Sequence, residues 1–309
     1  MRRTLTAVLA LTLTLAACSK PSDDVETSSQ SDDLAGATFV VGSKDFTESI
    51  LLGQLTMQLL KANGAKVVDK TNIKGSVTTR QALLTGDIDV YWEYTGTGWI
   101  SYLKNTTPIP DAKQQFDEVA TADLAKNKIV WSDPAPLNNT YAMAIKKEKA
   151  QELGVSKLSD LATIQPKDAT FCIESEFSTR DDGMPGMLKA YGIDVPKTNI
   201  KMLETGVIYN ETAKGKTCNF GEVFATDGRI SPLGLTVLDD DKSFFPIYNA
   251  AVTMRKDTSD KYPKVAELLA PVAQKLTNEA MQELNSQVDT EGMEPADVAR
   301  TWLTEQKLL

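Results

Sequence analysis

Thr38-Phe39-Val40-Val41-Gly42 is an apolar run closed by a glycine, and its pairing with the next twenty residues decides the fold. Ile50, Leu51, Leu55, Met57, Leu59 and Leu60 come next at helical spacing and stop at Asn63-Gly64. Asp45 and Glu48, three positions apart at the head of that helix, have the spacing of a capping box. Residues 66–70 fit a second strand, and Lys74-Gly75-Ser76 a turn. Gln81-Ala82-Leu83-Leu84 is a short helix halted by Gly86, and Ile88-Asp89-Val90-Tyr91-Trp92 is a third strand. Strand, helix, strand, helix, strand at this spacing predicts a parallel α/β sheet. Ligands of such sheets sit beyond the carboxyl ends of the strands, near helix N-termini. Two loops meet that description, 42–47 and 93–97.

A second α/β unit opens with a strand at Asn139-Thr140-Tyr141-Ala142-Met143-Ala144-Ile145 and includes Ala169-Thr170-Phe171-Cys172-Ile173. Val223-Phe224-Ala225-Thr226-Asp227-Gly228 and Leu235-Thr236-Val237-Leu238 come after it. Phe244-Phe245-Pro246-Ile247-Tyr248 then leads into Ala251-Val252-Thr253-Met254. The remainder reads as helix, one face being marked by Val265, Leu268, Leu269, Val272 and Leu276. No internal repeat or coiled coil is visible.

Composition narrows the function. The chain has 309 residues, 33 Lys and Arg, 42 Asp and Glu, three cysteines and no histidine. Length suggests two domains, and 41% apolar with 24% charged residues is ordinary for a globular protein. Without histidine there is no Ser-His-Asp or Cys-His machinery, and no histidine-ligated metal. A net charge of −9 argues against nucleic acid as a partner.

Met1-Arg2-Arg3, an apolar run from Leu5 to Leu15 broken only by threonines, and Leu15-Ala16-Ala17-Cys18 read as a secretory signal. The run is too short to span a bilayer. Leu-Ala-Ala-Cys resembles a bacterial lipobox, which makes residues 1–17 a lipoprotein signal peptide and Cys18 the lipidated residue. Cleavage leaves 31 basic against 42 acidic side chains, a net charge of −11. Residues 18–37, rich in Ser and Asp, are expected to be a flexible tether. Cys172 and Cys218 remain, 46 positions apart in an exported chain. One disulfide is the expected reading, with two free thiols as the alternative.

Val41-Gly42-Ser43-Lys44-Asp45-Phe46-Thr47-Glu48 resembles the opening of the glycine betaine/choline/carnitine-type substrate-binding proteins of ABC transporters, a quaternary ammonium osmoprotectant family. Further matches come in order: Gln81-Ala82-Leu83 with Gly86-Asp87-Ile88-Asp89, Glu93-Tyr94-Thr95-Gly96-Thr97 and Asn138-Asn139-Thr140-Tyr141-Ala142. Glu176-Phe177-Ser178-Thr179-Arg180 with Asp182-Gly183, Thr226-Asp227-Gly228-Arg229 and Phe244-Phe245-Pro246-x-Tyr248 complete the series. The resemblance covers about residues 38–300. It implies a two-lobed α/β fold of the periplasmic-binding-protein type (type II), with two crossover segments and an interlobe ligand cleft. Lobe one would be 38–139 plus 249–309, and lobe two 140–248.

The same resemblance implies an extracytoplasmic, lipid-anchored receptor, at the outer face of the cytoplasmic membrane or in the periplasm. It would be a monomer without cofactor, metal or catalytic residues, partnered by ABC permease subunits. Carried over motif by motif, the aromatic cage falls on Tyr94, Tyr141, Phe224 and Tyr248, and the carboxylate clamp on Lys44, Thr97 and Arg180. The chemistry is coherent: a quaternary ammonium has no N–H to donate and is gripped by aromatic faces, while Arg and Lys hold a carboxylate. Phe224 departs from the family's usual tyrosine and loses a hydroxyl dipole. Asn139 stands where some relatives have an acid, which favours a zwitterion such as glycine betaine over a free cation such as choline.

Plainer readings exist for each residue. Packing would account for Tyr94 and Phe224, a solvated loop charge for Lys44, and a surface ion pair in the run with Asp181 and Asp182 for Arg180. Another cationic or amino-acid-like solute is the alternative ligand. A carboxylate-dependent extracellular hydrolase, with Glu93, Glu174 or Glu176 as its acids, is the alternative class. Asp239-Asp240-Asp241 lacks the spacing of a calcium loop, and Gly215-Lys216-Thr217 lacks the earlier glycine of a phosphate-binding loop.

Overall fold

The computed structural model describes residues 33–309; the signal peptide, Cys18 and the tether up to residue 32 lie outside the described residues. The chain begins with β1 (Thr38–Lys44), α1 (Thr47–Ala62), β2 (Lys66–Ile73), α2 (Ser76–Thr85) and β3 (Val90–Tyr94). A single turn α3 (Thr95–Thr97), a wider helical turn at Gly98–Tyr102, α4 (Ala112–Asn127) and β4 (Ile129–Trp131) come after these. Next are β5 (Tyr141–Lys146), α5 (Lys147–Leu153), β6 (Phe171–Ile173), α6 (Met184–Tyr191), β7 (Ile200–Met202), α7 (Thr205–Lys214), β8 (Phe220–Phe224) and β9 (Leu235–Val237). The chain then returns through β10 (Ala250–Arg255) to α8 (Lys256–Lys261), α9 (Lys264–Lys275), α10 (Asn278–Asp289) and α11 (Pro295–Glu305).

The strands form two five-stranded sheets, in the orders β2-β1-β3-β10-β4 and β7-β6-β8-β5-β9. They are the same arrangement used twice. In the first, β1 is parallel to β2 and β3, and β10 runs antiparallel between β3 and β4. In the second, β6 is parallel to β7 and β8, and β5 runs antiparallel between β8 and β9. The parallel sheet expected from β1, β2 and β3 is thus the core of a mixed one. The antiparallel member of each sheet is the strand that has just crossed from the other lobe. It enters at the cleft, where the parallel strands end, and must run the opposite way.

The crossing segments, 132–140 and 238–249, lie side by side. Asn139 N donates to Tyr248 O (3.1 Å), Tyr248 N to Asn138 Oδ1 (2.7 Å), and Asn249 Nδ2 to Leu137 O (2.7 Å). Helix α1 is apolar on almost every side because it is enclosed on every side: β1 and β2 on one face, α9, α10 and α11 on the others. Its Leu51, Leu52, Leu55 and Leu60 are fully buried.

Two expectations are corrected here. The last residues assigned to the tether are part of the fold, since Leu34 is buried in the core of lobe one and its N–H bonds Asn63 O at 2.9 Å. Asp45 and Glu48 do not form a capping box: the helix is preceded by Phe46 with no side-chain cap. Asp45 accepts instead from Gly75 N (3.1 Å), and Glu48 is turned into the protein. Cys172 on β6 and Cys218 just ahead of β8 are bonded, with Cα atoms 5.7 Å apart.

One buried polar pair ties α1 to the sheet. Trp92 Nε1 donates to Thr56 Oγ1 (2.9 Å), whose own proton goes to Leu52 O. Thr56→Val preserves shape but leaves the indole N–H without an acceptor. It is expected to destabilise the protein by about 1–3 kcal/mol in urea denaturation, with an unchanged m-value.

Candidate ligand-binding site

Lys44 ends β1, Tyr94 ends β3 and Phe224 ends β8, so three strand termini point at one place. Asn139 arrives on the first crossing segment, Tyr141 directly after it as the first residue of β5, and Tyr248 on the second. Together with Asp45, Phe46, Ser76, Thr97, Glu174 and Glu176 they line a cleft holding about 450 Å³ of unfilled space, its open mouth included. Ser76 opens α2, and Thr97 sits in the turn after β3, where Gly96 has a specific purpose. A Cβ there would meet the Tyr248 ring at 2.7 Å, so only glycine lets that ring lie against the turn.

The aromatic side chains come from both lobes. Tyr141 lies 5.4 Å from Phe224 and 5.4 Å, edge to face, from Tyr248. Phe46 stacks on Phe224 at 5.2 Å and leans on Tyr94 at 5.9 Å. Two hydroxyls are anchored on buried carboxylates: Tyr94 donates to Glu48 Oε1 (2.8 Å) and Tyr248 to Asp182 Oδ2 (2.6 Å). Those bonds anchor the far ends of the two rings.

The charges are organised in pairs. Lys44 Nζ meets Glu93 Oε1 at 2.5 Å and stands 5.0 Å from the Tyr94 ring centre. Glu93 is fully buried and also takes the Tyr91 and Tyr102 hydroxyls (2.7 and 2.6 Å) and Tyr94 N. That enclosure leaves it no access to the cleft as an acid. Arg180 does not line the cleft. Its Nε and Nη2 grip Asp182 (2.7 and 2.5 Å), its Nη1 reaches Glu176 Oε1 (2.8 Å), and the guanidinium lies 5.4 Å from the Tyr141 ring centre. Its guanidinium thus lies one layer behind the residues that line the cleft. Arg180 is an ion-paired residue that braces Tyr141 directly and Tyr248 through Asp182.

The sequence does not mark the acids at the cleft as lining residues, although Glu176 and Asp45 belong to the quoted motifs. Glu176 crosses between lobes, accepting from Ser76 N at the start of α2 (2.9 Å). Burial alone would raise its carboxyl, but Lys44, Arg180 and the Ser76 amide hold it below the ordinary range. Among the described residues Glu174 has only the Thr205 hydroxyl (3.1 Å) on its carboxylate, and burial pushes it up to about 7. Phe46 also escapes sequence reasoning, though it lies in the loop after β1 that the sheet rule marks as part of the mouth.

Behind the aromatic rings the lobes meet directly. Thr226 of lobe two donates to Glu48 Oε2 of α1 (2.5 Å), and Asn285 of α10 donates to Thr226 O (2.9 Å). Gly228 passes so close to α10 that a Cβ would lie 2.5 Å from Ser286 N and 2.7 Å from Gln282 O. Burial raises the Glu48 carboxyl, while the bonds from Thr226, Tyr94, Asn285 and Asn139 pull it back.

Glu174 gives this site a pH signature. Its folded pKa of about 7 exceeds the ordinary 4.5, so the fold favours the neutral acid. The associated stability is fully present below pH 4.5 and is lost as pH rises to about 7. Glu174→Gln is expected to flatten the melting temperature between those values and to be more stable than the parent at pH 8 by about 1–3 kcal/mol. Parallel pH profiles for the two proteins would exclude the assignment.

Residues 37–305 match the family described as OpuAC, the substrate binding domain of ABC-type glycine betaine transport systems. A glycine-betaine-binding protein of Pseudomonas aeruginosa is 36% identical over 280 residues, covering 88% of this chain and 89% of that protein. The glycine betaine-binding protein YehZ of Escherichia coli is 32% identical over 279 residues, covering 88% of this chain and 92% of its own. The crystal structure of a glycine betaine/carnitine/choline ABC transporter protein superposes with a TM-score of 0.70 at 28% identity, covering 87% of this chain and 99% of that one.

Proposed function

The chain belongs to this family of ABC-type glycine betaine substrate-binding domains, with their two-lobed type II fold and a role in binding rather than catalysis, and we propose that it captures a quaternary ammonium solute of the glycine betaine type between its lobes and delivers it to an ABC permease. The observation that carries this reading is the convergence of Phe46, Tyr94, Tyr141, Phe224 and Tyr248 from both lobes on one cleft. A trimethylammonium group offers no N–H, so aromatic faces are the means of holding it. Each face contributes about 0.5–2 kcal/mol, and more once water is excluded.

Lys44 and Thr97 receive the solute's carboxylate. Lys44 keeps N–H capacity beyond its bond to Glu93, since an ammonium carries three donors. Arg180 acts at one remove, holding the Tyr141 and Tyr248 rings in register. The lipid anchor is read from Cys18, with the oxidised Cys172–Cys218 pair suiting an exported compartment.

One observation favours a second ligand reading. Asp45, Glu174 and Glu176 face the cleft while Lys44, the cation that lines it, is already paired with Glu93. That balance suits a solute with net positive charge, or one with N–H groups in addition to the quaternary nitrogen. Thermal shift with glycine betaine, carnitine, choline and amino acids separates the two. A ligand at 100 times its Kd adds about 2.7 kcal/mol of stability.

Calorimetry is expected to detect glycine betaine binding and to lose it in Tyr94→Ala, a decrease of about tenfold or more. Unchanged affinity in that variant would remove the cage assignment. Closure has its own test. Gly228→Ala sets a methyl against the backbone of α10, so it is expected to weaken binding of every ligand while preserving their rank order.

A further inference from the structure

Behind the aromatic wall is a second, smaller pocket of about 220 Å³, its opening included, that shares Phe46, Asn139 and Phe224 with the ligand cleft and is also lined by Glu48, Thr226, Asn285 and Arg229, whose guanidinium is paired with Asp227. Glu48 is 2% exposed. Among the described residues, every donor that reaches its carboxylate is neutral. The Tyr94 hydroxyl (2.8 Å) and Asn139 Nδ2 (3.0 Å) bond Oε1, and the Thr226 hydroxyl (2.5 Å) and Asn285 Nδ2 (3.5 Å) bond Oε2. Among the described residues no Lys or Arg pairs with it, whereas Glu93 is matched by Lys44 and Asp182 by Arg180. Donors on both oxygens favour the ionised carboxylate, against the burial that raises it. A buried negative charge without a cation of its own therefore stands one side chain away from the cleft.

The groups between that charge and the cleft are aligned with it. The Tyr94 hydroxyl donates to Glu48 while the residue lines the cleft, so the bond pushes electron density into a ring of the cage. Asn139 also lines the cleft. Its amide turns the N–H end to Glu48, and among the described residues its buried Oδ1 has no hydrogen-bond partner, nor has Asn285 Oδ1. Salt screens such a charge weakly because it lies away from solvent.

We propose that Glu48 is the fixed counter-charge of the site, a positioning residue that acts through Tyr94 and Asn139 to make the cage select a cationic headgroup over a neutral one of the same shape. The proposal rests on the reading of the cleft as a quaternary ammonium site and adds the residue that reads the charge. Shape is recognised by the rings; charge is recognised by a carboxylate the ligand never touches.

The test compares glycine betaine with its carbon isostere, 3,3-dimethylbutanoate, in which the quaternary nitrogen is replaced by carbon, by calorimetry on the full chain and on Glu48→Gln. The expected result is that betaine binds the parent more tightly than the isostere. In Glu48→Gln the ratio of the two affinities is expected to fall by about tenfold or more. A merely structural role would weaken both ligands alike, and an unchanged ratio overturns the proposal. If Glu48→Gln melts below the assay temperature, Tyr94→Phe keeps the ring and removes only its bond to Glu48. There the ratio is expected to fall by about threefold or more, and an unchanged ratio again overturns the proposal. A parent protein that binds neither compound overturns the functional reading and this inference together, whereas one that binds betaine with unaltered discrimination in the variants overturns the role of Glu48 alone.

Discussion

The hydrogen bonds between the two crossing segments hold the architecture together. Asn139 N to Tyr248 O and Tyr248 N to Asn138 Oδ1 bind the two segments of chain that pass between the lobes into a narrow ribbon. From that ribbon β5 and β10 each run away from the cleft, which makes each antiparallel to the neighbours that end there. Tyr141 and Tyr248 project from the ribbon itself. On the proposed reading the rings that meet the ligand therefore lie at the segments joining the lobes, so contact with the ligand and lobe position would be coupled.

Charge burial is the second constraint. Removing ions from water costs several kcal/mol apiece, and a pair recovers that cost only with good geometry and saturated hydrogen bonding. Glu93 meets the condition with Lys44, two tyrosine hydroxyls and a backbone amide. Asp182 meets it with a two-pronged Arg180 and the Tyr248 hydroxyl. In the second cluster Tyr248 is a structural strut as well as an aromatic face of the cleft. Replacing such a residue perturbs a buried ion pair along with the cleft, so losses of affinity at Tyr248 or Arg180 report bracing as much as contact.

How legible each feature is in the sequence depends on how local its signal is. Strand–helix alternation around Val41, Leu55 and Trp92, with glycine stops at Gly64 and Gly86, depends on neighbours within a few residues and reads directly. The mouth of the cleft is legible for the same reason, because it lies where strands end. Antiparallel β5 and β10 are not, since strand direction is set by where the chain last came from. Arg180 illustrates the limit more sharply. Its companions Asp182 and Glu176 are close in sequence, and nothing in that spacing decides between a guanidinium turned to a ligand and one turned to its neighbours. Glu48 misleads in the opposite sense: three residues after Asp45 it has a cap's spacing, yet its partners Thr226 and Asn285 are far along the chain. A buried carboxylate is assembled by tertiary structure and leaves no local pattern.

The absence of histidine acquires a meaning from these contacts. Capture and release on the proposed reading require no proton transfer, only two states of the lobes whose difference in energy a ligand can supply. On the proposed reading, Ser76 to Glu176 and Glu48 to Thr226 hold the lobes together across the cleft, and a cation among the rings would offset the charge of Glu48 and of the acids at the mouth. The balance matters more than the strength of any single contact: a ligand that binds open and closed states equally shifts nothing, however tightly it binds. A charge kept unmatched until the lobes close on a cation is one way for the two states to differ.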